Sequence, residues 1–276
     1  MINELILDDF LRAALKEDIG CGDVTTDSLI DPGQVSRCRL IAKEAGVLAG
    51  LFAFSRVFAL LDAGVTVDFK KAEGDAVVPG DEIAVLHGHT RALLKGERVA
   101  LNVLQRMSGI ATKTRRMCGL IGGCHARLAD TRKTLPGFRM LDKYAVTVGG
   151  GANHRLGLSD LVLIKDNHIA AVGSIPRAVE MAKRRAPFST KIEVEVENRE
   201  QLAQAVEAGA DIVMLDNMDC AEMKRAVAWV GGRVLLEASG NVDEETVAAV
   251  AATGVDIISC GALTHSVRAL DMSLKF

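Results

Sequence analysis

The sequence predicts an α/β protein whose second half folds into a barrel of parallel strands. From about residue 124, short apolar runs rich in β-branched residues alternate with helical stretches, and this alternation is typical of a parallel sheet. The segments 208–211 and 253–256 repeat one helix-to-strand turn. Because the chain has no glycine fingerprint for a dinucleotide, about six or seven such units favour a closed or nearly closed barrel over an open sheet.

The first region has a different rhythm and is predicted to be α+β. Leu7, Leu11 and Leu15 recur with the spacing of an amphipathic helix over 5–18. Pro79 and Gly80 mark a turn. The other elements predicted here are helices over 51–61 and 92–104, and strands over 38–42, 47–49, 65–69 and 83–86.

The barrel strands are predicted from apolar runs that are too short for buried helices. These runs are 125–129, 161–164, 192–196, 212–215, 234–236 and 257–259. Helical patterns lie between them over 138–148, 175–185, 199–207, 221–230 and 244–251.

Composition excludes several classes of protein. The formal charge is -3, which argues against a general nucleic-acid binder. No apolar run approaches the roughly 20 residues of a membrane helix, and the first residues lack the pattern of a signal peptide. The six cysteines form no CxxC pair, so a thiolate zinc site has little support. These features favour a cytoplasmic protein with reduced cysteines and no membrane or nucleic-acid partner.

Polar residues end or follow each predicted barrel strand. In chain order they are Asp130, Arg132, Lys133, Lys165, Glu195, Asp216, Ser239, Gly240 and Gly261. Active sites of such barrels lie at the carboxyl ends of the strands, so these residues are expected to converge there.

The window from Arg132 to Lys165 is cationic, with six basic and two acidic residues. Such a window attracts a small, multiply anionic ligand, and arginine pairs well with carboxylates and phosphates. Its basic residues are Arg132, Lys133, Arg139, Lys143, Arg155 and Lys165. The alternative for Arg132 and Lys133 is a solvated loop with two surface cations. His154 and Arg155 follow three glycines, and such a pair is more often structural than functional.

Lys165 directly follows an apolar strand and has three interpretations. It can contact an anion electrostatically, or it can act as a Schiff-base nucleophile. The third interpretation is a salt bridge to Asp166 or across the barrel to Glu195.

Residues 191–197 alternate charged and apolar side chains, so the three glutamates share one face of a strand. At least one inward carboxylate, together with Asp216, suits ribose hydroxyls or Mg²⁺. Residues 239–241 and 260–262 follow the last two strands and resemble a phosphate cradle. The alternative for this segment is that Asp243 simply caps the next helix.

Taken together, these motifs resemble quinolinate phosphoribosyltransferases over nearly the whole chain. The matching segments include Asp-Thr-Arg-Lys-Thr at 130–134 and Leu-Ile-Lys-Asp-Asn-His at 163–168. The others are 17–18, 22–26, 97–102, 108–112, 215–217, 237–240 and 271–276. Molybdenum-transport accessory proteins of the same fold are the alternative, but they resemble members that lack the Lys-Asp-Asn-His run kept here.

The resemblance implies an N-terminal α/β sandwich-like domain over 1–110 and an incomplete (β/α) barrel over 111–266. A tail over 267–276 is expected to pack back on the first domain. The implied reaction joins quinolinate and phosphoribosyl pyrophosphate in the presence of Mg²⁺, for NAD biosynthesis. Its products are nicotinate mononucleotide, pyrophosphate and CO₂.

The resemblance also implies roles by matching position. The residues expected to hold carboxylates and phosphates are Arg132, Lys133, His154, Arg155 and Lys165. Glu195 and Asp216 are expected near the ribose and the metal-bound pyrophosphate, and Lys133, Lys165, Glu195 and Asp216 form the expected catalytic set. Ser239, Gly240, Asn241 and Gly261 are expected to cradle the 5-phosphate, although many members have a second glycine in place of Asn241. Arg98 is expected to reach the site of a neighbouring subunit in a homodimer or a larger oligomer.

Overall fold

The computed structural model describes residues 2–276, which form two compact units. The first unit contains the chain up to Arg115, together with Leu135–Gly150 and Val267–Phe276. The second unit contains Arg116–Thr134 and Gly151–Ser266. The domain boundary expected at residue 110 stays a prediction.

The elements follow one another along the chain in this order: α1 (Glu4–Ile19), α2 (Val24–Leu29), β1 (Val35–Ala42), β2 (Gly46–Val47), α3 (Leu51–Leu61), β3 (Thr66–Phe69), β4 (Ala76–Val77), β5 (Glu82–His89), α4 (Thr90–Leu120), β6 (Arg127–Ala129), α5 (Arg139–Val148), β7 (Val162–Ile164), α6 (Asp166–Val172), α7 (Ile175–Arg185), β8 (Ile192–Val196), α8 (Arg199–Glu207), β9 (Ile212–Asp216), α9 (Cys220–Val230), β10 (Leu235–Ser239), α10 (Val247–Ala251), β11 (Ile257–Ser259), α11 (Ala262–His265) and β12 (Met272–Lys275).

The first unit is built on an antiparallel sheet with the strand order β12-β1-β5-β3. The last strand of the chain adds to the edge of this sheet, where Leu40 of β1 pairs with Leu274 of β12. The fully buried Phe54 and Phe58 of α3 contribute to its core. Glu73 caps α3 from a distant loop, since its carboxylate accepts the backbone N–H groups of Gly50 and Leu51 at 3.0 and 2.7 Å.

The second unit is built on a six-stranded sheet in the order β6-β11-β10-β9-β8-β7. Every pairing between these strands is parallel. Within the described residues, β6 and β7 are the two edges of the sheet and do not pair with each other, so the barrel is incomplete. The predicted fold class, an incomplete α/β barrel with a mixed N-terminal domain, is confirmed.

Three helices of the second unit differ from the sequence-based prediction, which gave no helix at α11. The prediction missed α6, because this helix of seven residues buries none of them and therefore carries no apolar periodicity. Helix α10 begins at Val247 and not at residue 244. Asp243 instead accepts the backbone N–H groups of Glu245 and Thr246 at 3.0 and 2.9 Å, which forms a turn before the helix.

Among the helices of residues 2–276, none is both long enough and apolar enough to span a membrane.

Candidate active site

A cavity of about 490 Å³ lies in the second unit, at the carboxyl ends of the parallel strands. Its lining combines cations, carboxylates and small polar residues from the strand ends and the loops that follow them. The lining residues are Thr131, Arg132, Lys133, His154, Arg155, Leu163, Lys165, Glu195, Met214, Asp216, Asn217, Glu237, Ser239, Gly240, Asn241 and Ser259. This is where a barrel of this type carries its active site.

The alternating strand β8 is buried on both of its faces. Val194 and Val196 are fully buried, and so is Glu193 on the opposite face, whereas Glu195 has 13% of its side chain exposed. Glu195 lines the cavity at the end of the strand. Glu193 and Glu195 therefore point into the barrel, and the valines point toward the covering helices.

Lys165 forms an ion pair with Glu195, its neighbour across the sheet. The two residues occupy equivalent places, since Lys165 directly follows β7 and Glu195 lies near the end of β8. The Lys165 side chain is 44% exposed, so its ammonium remains accessible from the cavity. Of the two salt bridges predicted for Lys165, the one to Glu195 is present. This ion pair is compatible with an electrostatic contact between Lys165 and a bound anion.

Arg155 lies on the cationic side of the cavity with Arg132. Burial, followed by the positive charge of Arg132, lowers the pKa of Arg155, while the carboxylates of Glu193 and Asp160 act in the opposite direction. An arginine remains charged despite such a shift. Two partly desolvated guanidinium groups of like charge form a favourable place for a bound anion.

His154 meets two buried glutamates beneath this cationic side. Its Nε2 atom lies 3.3 Å from Oε2 of Glu193 and 3.3 Å from Oε2 of Glu237. Burial opposes protonation of the ring, but hydrogen bonds to the two carboxylates, and their charges, raise the pKa of His154 to about 10. Burial in turn raises the pKa of Glu193.

The backbone contact at the other ring nitrogen of His154 decides its tautomer. The N–H of Arg155 is directed at Nδ1 over 2.7 Å, so Nδ1 must be an acceptor. A second ring proton at Nδ1 would oppose this donor, and this contact outweighs the raised pKa. We therefore assign the neutral ring with its proton on Nε2, facing the two glutamates.

The loops after β9 and β10 are joined at the opposite side of the cavity. Asn217 donates its backbone N–H to the carbonyl of Ser239 at 2.9 Å and its side-chain amide to Asp216 at 2.7 Å. Asn217 and Asn241 have left-handed backbones, with φ of 53° and 50°. A Cβ atom on Gly240, whose φ is 105°, would overlap Oδ1 of Asn217. The loop therefore requires glycine at position 240.

Ten of the predicted site residues line the cavity, and two do not. Arg98 is exposed on α4 in the first unit. Gly261 sits just behind the cavity wall, where a Cβ atom would lie 2.9 Å from Cδ of Lys133. Arg139 and Lys143 of the cationic window are also outside the lining, because both lie on α5 in the first unit.

Six lining residues were not predicted. They are Thr131, Leu163, Met214, Asn217, Glu237 and Ser259. Glu237 carried a usable signal, since it is a charged residue inside an otherwise apolar strand. Leu163 and Met214 carried none, because a cavity-facing aliphatic residue in a strand has the same pattern as a core residue.

Glu195 and Asp216 are suitable ligands for Mg²⁺, which prefers carboxylate, phosphate and water oxygens. Both line the cavity. Because each already has a partner, in Lys165 and Asn217 respectively, they fit an ion that a bound substrate also coordinates better than an ion held by protein alone.

Two family models cover almost the whole chain. The C-terminal domain of quinolinate phosphoribosyl transferase matches residues 110–275, and the N-terminal domain matches residues 23–108. The chain belongs to the quinolinate phosphoribosyltransferase family.

Individual members of the quinolinate phosphoribosyltransferase family are similar along their full length. A probable nicotinate-nucleotide pyrophosphorylase (carboxylating) of Bacillus subtilis is 45% identical over 99% of this chain and 94% of its own length. A nicotinate-nucleotide pyrophosphorylase (carboxylating) of Mycobacterium leprae is 42% identical over 96% of this chain and 95% of its own length. The crystal structure of NadC from Streptococcus pyogenes superimposes with a TM-score of 0.96, at 45% identity, over 100% of this chain and 98% of that chain. These similarities favour the transferase over the molybdenum-transport alternative.

Proposed function

We propose that the protein transfers the phosphoribosyl group of phosphoribosyl pyrophosphate to quinolinate, with loss of CO₂, to form nicotinate mononucleotide and pyrophosphate. This reaction serves NAD biosynthesis. The observation that carries the proposal is a single cavity, in a member of this family, lined by four cations and, at the ends of β8 and β9, by two carboxylates. The cations are Arg132, Lys133, Arg155 and Lys165, and the carboxylates are Glu195 and Asp216.

The cationic side suits a diacid. Quinolinate carries carboxylates at C2 and C3, and planar guanidinium groups such as those of Arg132 and Arg155 match carboxylate oxygens. Binding both carboxylates fixes the plane of the pyridine ring. The ring nitrogen can then be aimed at C1 of the ribose, so that transfer proceeds within one bound complex.

The carboxylates suit the transfer step. As the bond from C1 to pyrophosphate breaks, positive charge develops at C1, and the negative charges of Glu195 and Asp216 stabilise it. The charge that develops on the leaving pyrophosphate is offset by Mg²⁺ when it is bound near these residues. Ser239, Gly240 and Asn241 offer the tight backbone turn that would hold the 5-phosphate.

Decarboxylation follows from the product of transfer. The ribosylated ring nitrogen is cationic, so it stabilises the electron pair that stays on C2 when the C2 carboxylate leaves as CO₂. A proton then takes the place of the carboxylate at C2. The protein needs no covalent nucleophile for either step.

The deciding experiment compares two pyridine acids. We expect release of CO₂ and pyrophosphate with quinolinate, and a kcat/KM for nicotinate lower by at least about 10²-fold, because nicotinate lacks the C2 carboxylate and leaves cationic groups without a partner. Labelled carboxylate and a coupled pyrophosphate assay measure the two products. Equal kcat/KM values for the two acids would contradict the proposal.

Replacing Gly240 with alanine should selectively raise KM for phosphoribosyl pyrophosphate, by about tenfold or more. The added Cβ combines an unfavourable backbone conformation with overlap at Asn217, so the turn that faces the phosphate must change shape. Gly232→Ala is the matched control. Gly232 also has a positive φ, of 79°, but its Cβ would meet nothing within 4 Å. If Gly240→Ala raised both substrate KM values equally, the assignment of the phosphate to this loop would fail.

We also propose that the protein is a cytoplasmic homodimer, or a larger oligomer built from such dimers. Arg98 supports a shared site, because it is exposed on α4 and matches a family position expected to act in the neighbouring subunit.

A further inference from the structure

Three buried carboxylates have no task in the proposed chemistry: Glu237 in the cavity lining, and Asp130 and Glu193 behind it. Asp130 and Glu193 are fully buried, and Glu237 is 1% exposed. They come from different parts of the sheet, since Asp130 follows β6 and the glutamates lie on β8 and β10. Their burial is costly unless each finds a partner. All three converge on one residue, His154.

The contacts around His154 hold it from several directions. Oδ1 of Asp130 accepts the His154 backbone N–H at 2.9 Å. The imidazole Nε2–H faces Glu193 and Glu237, each at 3.3 Å, and Nδ1 accepts the backbone N–H of Arg155 at 2.7 Å. The imidazole thus links the buried glutamates to the backbone of the residue that carries a cavity cation.

The same tautomer argues against a metal ion at this cluster. One His and two Glu oxygens form a common ligand set, and their ligand atoms lie within 4.8 Å of one another. A metal at Nε2 requires a free electron pair there, but the Arg155 N–H directed at Nδ1 leaves the ring proton on Nε2. Glu193 and Glu237 therefore face an N–H group at 3.3 Å and not a metal ion.

We propose that Glu193 and Glu237 are positioning residues that act through His154 to hold Arg155 in the geometry that binds the diacid. This inference rests on the proposed function, because it assumes that the anion bound by Arg155 is quinolinate. His154 is itself part of the cavity lining, and both of its ring nitrogens contact other groups of the protein. A displacement of about 1 Å in such a group is enough to cost about 10²-fold in rate.

The test measures quinolinate affinity by titration calorimetry, without turnover, in the full-length protein. Glu237→Leu should weaken quinolinate binding about tenfold or more, which corresponds to the loss of one hydrogen bond to a charged group. The affinity for phosphoribosyl pyrophosphate should change less than about threefold. Glu237→Gln should restore most of the quinolinate affinity, because its amide oxygen still accepts the His154 N–H.

Stability separates positioning from a purely structural role. In Glu237→Leu, Glu193 still lies 3.3 Å from the Nε2 atom of His154, and the repulsion between the two buried carboxylates is removed. Glu237→Leu should therefore keep the melting temperature while it loses affinity. Glu73→Leu is the matched control, since Glu73 is a partly buried glutamate that caps α3 in the first unit. That variant should lower the melting temperature and leave quinolinate affinity unchanged.

A double-mutant cycle identifies the route of the effect. In an Arg155→Ala background, Glu237→Leu should weaken quinolinate binding no further, because the group that it positions is gone. Additive losses would overturn the proposal, and so would unchanged affinity in Glu237→Leu. If Glu237→Leu does not fold, Glu193→Leu and His154→Phe replace it. Each should weaken quinolinate binding in the parent protein and should weaken it no further in the Arg155→Ala background. The two proposals can fail separately. If the variants change quinolinate affinity as expected but the parent protein releases no CO₂, the proposed reaction fails and the positioning role stands.

Discussion

Lys165→Ala should lower turnover by about 10²–10³-fold, the usual cost of removing one preorganised charge or donor from a reaction site. Lys165 lines the cavity at the end of β7 and pairs with Glu195. Its loss removes a cation from the diacid site and leaves the Glu195 carboxylate, which is 13% exposed, without its counter-charge. Steady-state kinetics with both substrates measure the effect.

Two controls test whether the loss of turnover is specific to Lys165 and whether Lys165 acts without a covalent bond to the substrate. Lys191 directly precedes β8, at the opposite end of the sheet from the cavity, so Lys191→Ala should leave turnover within about twofold. Borohydride treatment during turnover tests the covalent alternative, in which Lys165 forms an imine. Mass spectrometry that found a substrate adduct on Lys165 would rule out a purely electrostatic role.

Two inactive variants should restore activity when they are combined in one dimer. Arg98→Ala and Glu195→Ala homodimers should each fall below about 1% of normal turnover, because each lacks a charged group at the reaction centre. In a two-fold dimer, each site would combine its own Glu195 with the partner's Arg98. A mixed dimer then has one site with both residues intact and one site with both defects.

The expected recovery is quantitative. Refolding an equal mixture gives about half mixed dimers, each with one intact site, so about a quarter of normal turnover should return. As the control, Arg98→Ala is mixed with the double variant Arg98→Ala/Glu195→Ala. No subunit then supplies Arg98, and no activity should return. Native mass spectrometry reports whether mixed dimers form, and mixed dimers as inactive as their parents would exclude a shared site.

Local sequence pattern was sufficient for most of the barrel. The predicted strands over 192–196 and 257–259 and the helices over 175–185 and 199–207 coincide with β8, β11, α7 and α8. The two helices and β8 show their apolar period within a short window, and β11 was predicted as a short apolar run. The short helix α6, which buries no residue, has no such period and was missed.

Most of the cavity lining was predicted from the rule that the active site of such a barrel lies at the carboxyl ends of its strands. Parallel strands bring their carboxyl ends to one edge, so Lys165, Glu195, Asp216 and Ser239 had to lie near one another once the sheet was predicted. The roles of these residues stay predictions. Of the six basic residues in the cationic window, four line the cavity. The other two, Arg139 and Lys143, lie on a helix of the first unit.

By itself, the sequence determined the order and type of most barrel elements and which side chains end the strands, because both depend on neighbours within a few residues. Only the tertiary structure decided which face of β8 points inward and that Glu193 and Glu237 meet at His154. These residues lie on β8, on β10 and in a loop between β6 and β7, and β9 separates the two strands in the sheet. Their meeting depends on strand register and barrel curvature, which are set by packing across the whole unit and leave no local trace in the sequence.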